Sequence, residues 1–190
     1  MTSFLPRRSL LGALIALPLL LTGCAVMPEY APTGAPDTQA RLRIKAMDMY
    51  AYPAVILGTV EQDNEPKRQL LAVFTKGWAG IGKTPKESER IGMPASTDQD
   101  TNMPVLERYV SAGQPLSLMF AATLDGSLVC RAAAVMTPEA GRDYELVVLL
   151  QGTSIGGNGR CGLLAYELQP DAGPDNRVPF MLRPRSVAKR

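Results

Sequence analysis

Seven runs of strand-forming residues, each six to ten residues long, alternate with clusters of Gly, Pro, Asn and Asp. This rhythm constrains the fold more than any other feature of the chain. Arg41–Ala46 (RLRIKA) alternates polar with apolar residues, the period-two mark of a strand with one face buried. Pro53–Val60, Gln69–Phe74, Leu116–Thr123, Ser127–Met136, Tyr144–Leu150 and Cys161–Leu168 follow as apolar runs of strand length. Turns are expected at Glu61–Pro66, Leu124–Gly126, Pro138–Asp143 and Gly152–Arg160. The last three runs lie close enough in sequence to form consecutive antiparallel hairpins. The fold expected is mainly β, an antiparallel β-sandwich of the immunoglobulin or transthyretin type, with one long loop and at most a short helix. That helix is expected within Asp100–Ser111, where Val105, Leu106 and Val110 share one side and Pro104 suits a first turn.

The chain has 190 residues and is 46% apolar, which suits one domain with tails. Met27–Ala40 contains three prolines and a glycine and shows neither period, so residues 24–40 are expected to form a flexible tether. The sandwich is expected over residues 41–170. Residues 171–190 read as a loosely held tail with one added edge strand at Arg177–Leu182. Trp78–Met103 has no clear period, and a connection of that length inside a compact domain is usually functional or mobile. There is no histidine, which excludes Ser-His-Asp and Cys-His nucleophile systems and His-ligated zinc or copper.

The first residues read as an address. Met1–Arg8 carries Arg7 and Arg8, Leu10–Leu21 is almost wholly apolar, and Leu21-Thr22-Gly23-Cys24 follows. A basic start, a short apolar stretch and small residues before a break point make a signal peptide over residues 1–23. The four residues LTGC resemble the lipobox of bacterial lipoprotein precursors at every position. That resemblance implies acylation of Cys24, palmitate included, and cleavage just before it. Ala25 rather than aspartate at the next position implies, by the enterobacterial sorting rule, the outer membrane of a Gram-negative cell and its periplasmic side. Arg7-Arg8-Ser9-Leu10-Leu11 also looks like a twin-arginine signal, but paired arginines are what any basic leader needs.

The whole chain has 20 basic and 18 acidic residues; without Arg7 and Arg8 the mature chain has 18 of each. Neutrality argues against a nucleic-acid partner, which needs a basic face. With Cys24 lipidated, Cys130 and Cys161 remain, and two thiols on strands of an exported protein are expected to pair as a structural disulfide. Gly77–Thr84 satisfies GxxxxGK[ST], yet the following segment has no apolar face for a helix and no strand offers a partner aspartate, so no nucleotide is expected there. Trp78, set among these glycines, is the candidate partner contact. Met47 and Met49, with Met93 and Met103 elsewhere, suit a thioether metal site, but nine methionines are more simply core fillers. Asp98/Asp100, Glu87/Glu89 and Glu139/Asp143 lie in polar turns and mark no catalytic pair. Arg183, Arg185, Lys189 and Arg190 make a basic end suited to solvent or to anionic headgroups.

No catalytic residue, metal ligand or cofactor is assigned from these patterns. The expectation is a lipid-anchored binding or structural module of the cell envelope with an envelope protein as partner, as an accessory component of an envelope or secretion assembly or an inhibitor. The alternatives are a cell-wall hydrolase, which needs convergent carboxylates, and a metal or small-ligand carrier, which needs Met47, Met49 and a third donor. The stretch from Cys130 through Pro138–Glu145 to Cys161 is similar to a pattern in small uncharacterised envelope lipoproteins. That resemblance implies the C-terminal half of a small sandwich and no activity.

Overall fold

The computed structural model describes residues 27–47, 54–62, 65–75, 90–94, 105–124, 127–151, 160–170 and 176–185. Among the described residues ten strands follow in chain order: β1 (Gln39–Met47), β2 (Ala54–Gln62), β3 (Glu65–Thr75), β4 (Val105–Ser111), β5 (Leu116–Leu124), β6 (Ser127–Met136), β7 (Asp143–Gln151), β8 (Arg160–Leu168), β9 (Arg177–Pro179) and β10 (Arg183–Pro184). They form two five-stranded sheets, β4-β1-β7-β8-β9 and β10-β6-β5-β2-β3, packed face to face as a sandwich. The expected β-sandwich is what the chain adopts. Among the described strands one pairing is parallel, β1 beside β7 with Arg41 opposite Asp143 and Arg43 opposite Glu145.

The core follows from the alternation. Leu42 and Ile44 of β1, Leu106 and Val110 of β4, and Leu146 and Val148 of β7 face Leu71, Phe74, Leu118 and Phe120 of the other sheet, all at most 2% exposed. Gly58 on β2 has no side chain because Phe120 takes that space: a Cβ built there would meet Phe120 Cε1 at 2.6 Å. Gly58→Val should therefore lower the unfolding free energy by about 1–3 kcal/mol through overpacking. Urea unfolding checks this, and an unchanged midpoint would show that Phe120 can turn aside. At the flank where β6 lies over β8, a disulfide joins Cys130 to Cys161 with their Cα atoms 5.5 Å apart, the pairing expected from the sequence.

Three expectations are corrected. Val105–Ser111 is strand β4, paired antiparallel with β1, rather than part of a helix. Leu106 and Val110, four apart, share a face in either conformation, so periodicity alone did not separate them. The flanking register decides, since Leu106 lies opposite Ile44 and Val110 opposite Ala40. Secondly, β6, β7 and β8 are not consecutive hairpins. β7 pairs with β8, but β6 belongs to the other sheet, and Thr137–Arg142 crosses between them. That crossing is fixed by Gly141 N–H donating to the Gln39 carbonyl at 2.9 Å and Glu139 N–H donating to the Tyr144 hydroxyl at 3.0 Å.

The third correction concerns the tether, since packed structure begins before residue 41; beyond residue 170, the edge strand expected within Arg177–Leu182 is present as β9. Pro28 O accepts from Leu70 N–H at 2.7 Å and Tyr30 N–H donates to Leu70 O at 2.8 Å, on the edge of β3. The Tyr30 ring is 4% exposed and its hydroxyl accepts from Ser111 N–H at 2.9 Å, at the end of β4. Thr33 N–H donates to Ser111 Oγ at 2.8 Å. Met27–Thr33 thus laces the β3 edge of one sheet to the β4 edge of the other. On the opposite flank, β9 extends one sheet, β10 extends the other, and Phe180 between them packs edge-on against Tyr144 with ring centroids 5.0 Å apart. Unpaired strand edges invite association with other chains, and these segments occupy part of the edge at each flank.

Candidate functional site

In the sheet β4-β1-β7-β8-β9, the side chains facing away from the core should meet water. Some do, Tyr109 and Leu164 among them, but across β4, β1 and β7 several form a buried row of charges. Along β1, Leu42, Ile44 and Ala46 point inward, so Arg41, Arg43 and Lys45 point outward. The registers place Glu107 of β4 on one side of Arg43 and Glu145 of β7 on the other. Arg43 is 1% exposed, Glu107 1%, Glu145 0% and Lys45 5%.

The charged side chains of the row meet one another as opposite charges. Arg43 donates to Glu107 Oε1 through Nε at 2.9 Å and Nη2 at 2.7 Å, and its Nη1 reaches Glu145 Oε2 at 3.5 Å. Lys45 Nζ lies 3.1 Å from the same Glu145 oxygen. Arg177 of β9 meets Glu145 Oε1 and stacks over the Tyr166 ring at 5.1 Å. Beside the row, Arg41 and Asp143 form a two-pronged pair, with Nε–Oδ1 and Nη2–Oδ2 both 2.6 Å. Hydrogen bonding to Asp143 pushes the Arg41 guanidinium further above its ordinary value.

The segment 90–94 lies over this face. Ile91 N–H donates to Glu107 Oε2 at 2.8 Å, Met93 N–H donates to the same oxygen, Arg43 Nη2 donates to Pro94 O at 2.6 Å, and Arg41 Nη1 to Gly92 O at 3.2 Å. Met93, Val105, Val147 and Leu168 are buried without belonging to the core between the sheets, so the covered face has an apolar floor of its own. Burial pushes the Glu107 carboxyl upward, but hydrogen bonds from Arg43 and from the Ile91 and Met93 amides outweigh it. The group ends below the ordinary carboxylate range. A carboxyl with a lowered folded-state value contributes stability that is complete above the unfolded value, about 4.3, and is lost as pH falls through the folded one. Glu107→Gln should therefore lose most stability against wild type near about pH 7, and the difference should shrink toward about pH 3. Urea unfolding of both proteins across that range checks it; a gap independent of pH would contradict it.

No protein-family model and no curated protein sequence matches this chain.

The site residues expected from the sequence are dispersed. Cys130 and Cys161 meet. Cys24, Trp78, Met49, Met103, Asp98, Asp100, Glu87, Glu89, Lys189, Arg190 and the Gly77–Thr84 motif lie outside the described residues. Met47 ends β1, and Met93 is buried over the charge row. Glu139 is exposed beside Arg142 while Asp143 is taken up by Arg41, so those two carboxylates do not converge. Arg183 Nη2 donates to Thr137 Oγ1 at 3.5 Å, and Arg185 pairs with Glu61 at 3.3 Å. Among the described residues no group of three His, Cys, Asp or Glu is placed to hold a metal ion. Glu107 and Glu145 were missed as members of one row. Their signal was present, since Asp143 and Glu145 repeat the two-residue spacing of Arg41 and Arg43, but matching the pairs requires the parallel register.

The other sheet differs. Its outward-facing side chains include Val73, Met119, Ala121, Ala133 and Val135, which are apolar and half-buried.

Proposed function

We propose that this protein is a lipid-anchored module of the Gram-negative outer membrane, facing the periplasm, that works by binding another envelope protein. It would serve as an accessory component of an envelope or secretion assembly, or as an inhibitor. The lipobox at Leu21–Cys24 supplies the address. The observation that carries the binding reading is the state of the charge row: Arg43, Glu107 and Glu145 are at most 1% exposed and neutralise one another. A hydrolase needs carboxylates that reach a substrate, and these face arginine and lysine instead. The apolar outward residues of the second sheet suit protein contact better than chemistry.

The test is capture of the acylated protein from cross-linked envelopes, together with intact-mass analysis of the Cys24 fragment. A lipid-sized mass gain, outer-membrane fractionation and a defined stoichiometric partner are the expected results. A soluble, unlipidated product would overturn the anchor, and glycan hydrolysis by the purified domain would overturn the binding reading.

A further inference from the structure

We infer that the sandwich rests directly on the lipid headgroups, held by one end, rather than hanging on a long tether. This rests on the reading of Cys24 as the lipidated residue. A free segment from residue 25 to residue 40 would have a root-mean-square reach of about 20 Å and would let the domain turn in any direction. The chain is already fixed at Pro28, whose carbonyl accepts from Leu70 N–H at 2.7 Å. Ala25, Val26 and Met27 alone separate that point from Cys24. Four residue steps span at most about 14 Å, about twice the headgroup layer of about 5–7 Å on each side of a bilayer, which leaves room for only two or three residues between the headgroups and the fixed point.

The direction of approach also follows. Glu29 bridges Leu70 in the parallel sense, so the residues before it come in from the Glu65 end of β3. Gln62 pairs with both Glu65 and Leu116, and Leu116 with Met136, which places the turns Ala112–Pro115 and Thr137–Arg142 at that same end. Gly113 N–H donates to Pro138 O at 2.8 Å and joins the two turns. The strands β3 and β4 have their Thr75 and Val105 ends at the opposite end, while segment 90–94 between them packs on Arg41 and Arg43, toward the near end. Nine-residue strands such as β1 and β5 are about 30 Å long, which is the separation expected between the two ends. The near end is thus the membrane-facing surface, and the far end is the one presented to a periplasmic partner.

Acylated protein in phosphatidylethanolamine/phosphatidylglycerol vesicles tests this. A fluorescent side chain is placed at Ala140, exposed at the near end, or at Arg160, exposed at the far end. Energy transfer to a headgroup-labelled acceptor lipid should be severalfold higher from position 140. Inserting about twelve Gly/Ser residues after Met27 adds a reach of about 20 Å and should abolish the difference. Equal transfer from both positions on a protein shown by mass to be acylated would overturn this orientation and leave the anchor standing. Absence of the acyl mass would overturn the anchor and the orientation with it.

Discussion

Replacing Glu145 by alanine should lower the unfolding free energy by about 3–5 kcal/mol, a large share of the total for a domain of this kind. Its two oxygens face Arg43, Lys45 and Arg177, and the side chain is fully buried. Removing it leaves three cations facing one another, with Glu107 the remaining carboxylate of the row. The loss should appear as a lower urea midpoint at unchanged slope. Glu145→Gln keeps the shape and should lose most of the same stability, which separates charge from cavity. Replacing Lys45 by Met together with Glu145 by Leu should recover part of the loss, because an ion pair removed whole is far less harmful than one broken in half. A loss from Glu145→Ala below about 1 kcal/mol would show that water enters the row and screens it.

The second large effect is expected at the disulfide. The Cys130→Ala, Cys161→Ala double variant should be about 2–5 kcal/mol less stable than wild type under oxidising conditions. The bond closes a loop of sequence separation 31 and joins β6 to β8 across the sandwich. Cys130 lies in the core cluster and Cys161 packs against it, so small packing losses add to the loss of the cross-link. Reductant should move wild type toward the midpoint of the double variant and leave the variant itself unmoved. A wild-type midpoint indifferent to reductant would show that the bond adds nothing.

Alternating and apolar runs made most of the strands legible, because a side chain's inward or outward placement along a strand follows from position alone. The limits of the domain were less legible. Pro28–Thr33 looked like tether because its prolines and polar residues have no period, yet Tyr30 has a buried site waiting between β3 and β4. The edge strand expected at Arg177–Leu182 is realised only as Arg177–Pro179, and Arg183–Pro184, of two residues, is too short to carry a pattern. Their pairing comes from edges that the rest of the fold leaves open.

The charge row is where local reading and the folded chain part company. Alternation in RLRIKA correctly separates Leu42, Ile44 and Ala46 from Arg41, Arg43 and Lys45. Whether the second set meets water depends on what lies above it, and the segment 90–94 comes from far along the chain.

The sequence by itself therefore determined the sandwich class, the disulfide partners and which side chains of β1 share a face, since all three follow from residue type and spacing. The tertiary structure alone decided the parallel register of β1 with β7, the burial and mutual neutralisation of Arg43, Lys45, Glu107, Glu145 and Arg177, and the docking of Met27–Thr33 across β3 and β4. Those depend on contacts between residues far apart in the chain, such as Arg43 with Glu107 at a separation of 64 and with Glu145 at 102. No local pattern encodes such a meeting, because its free energy arises only once both strands are already in place.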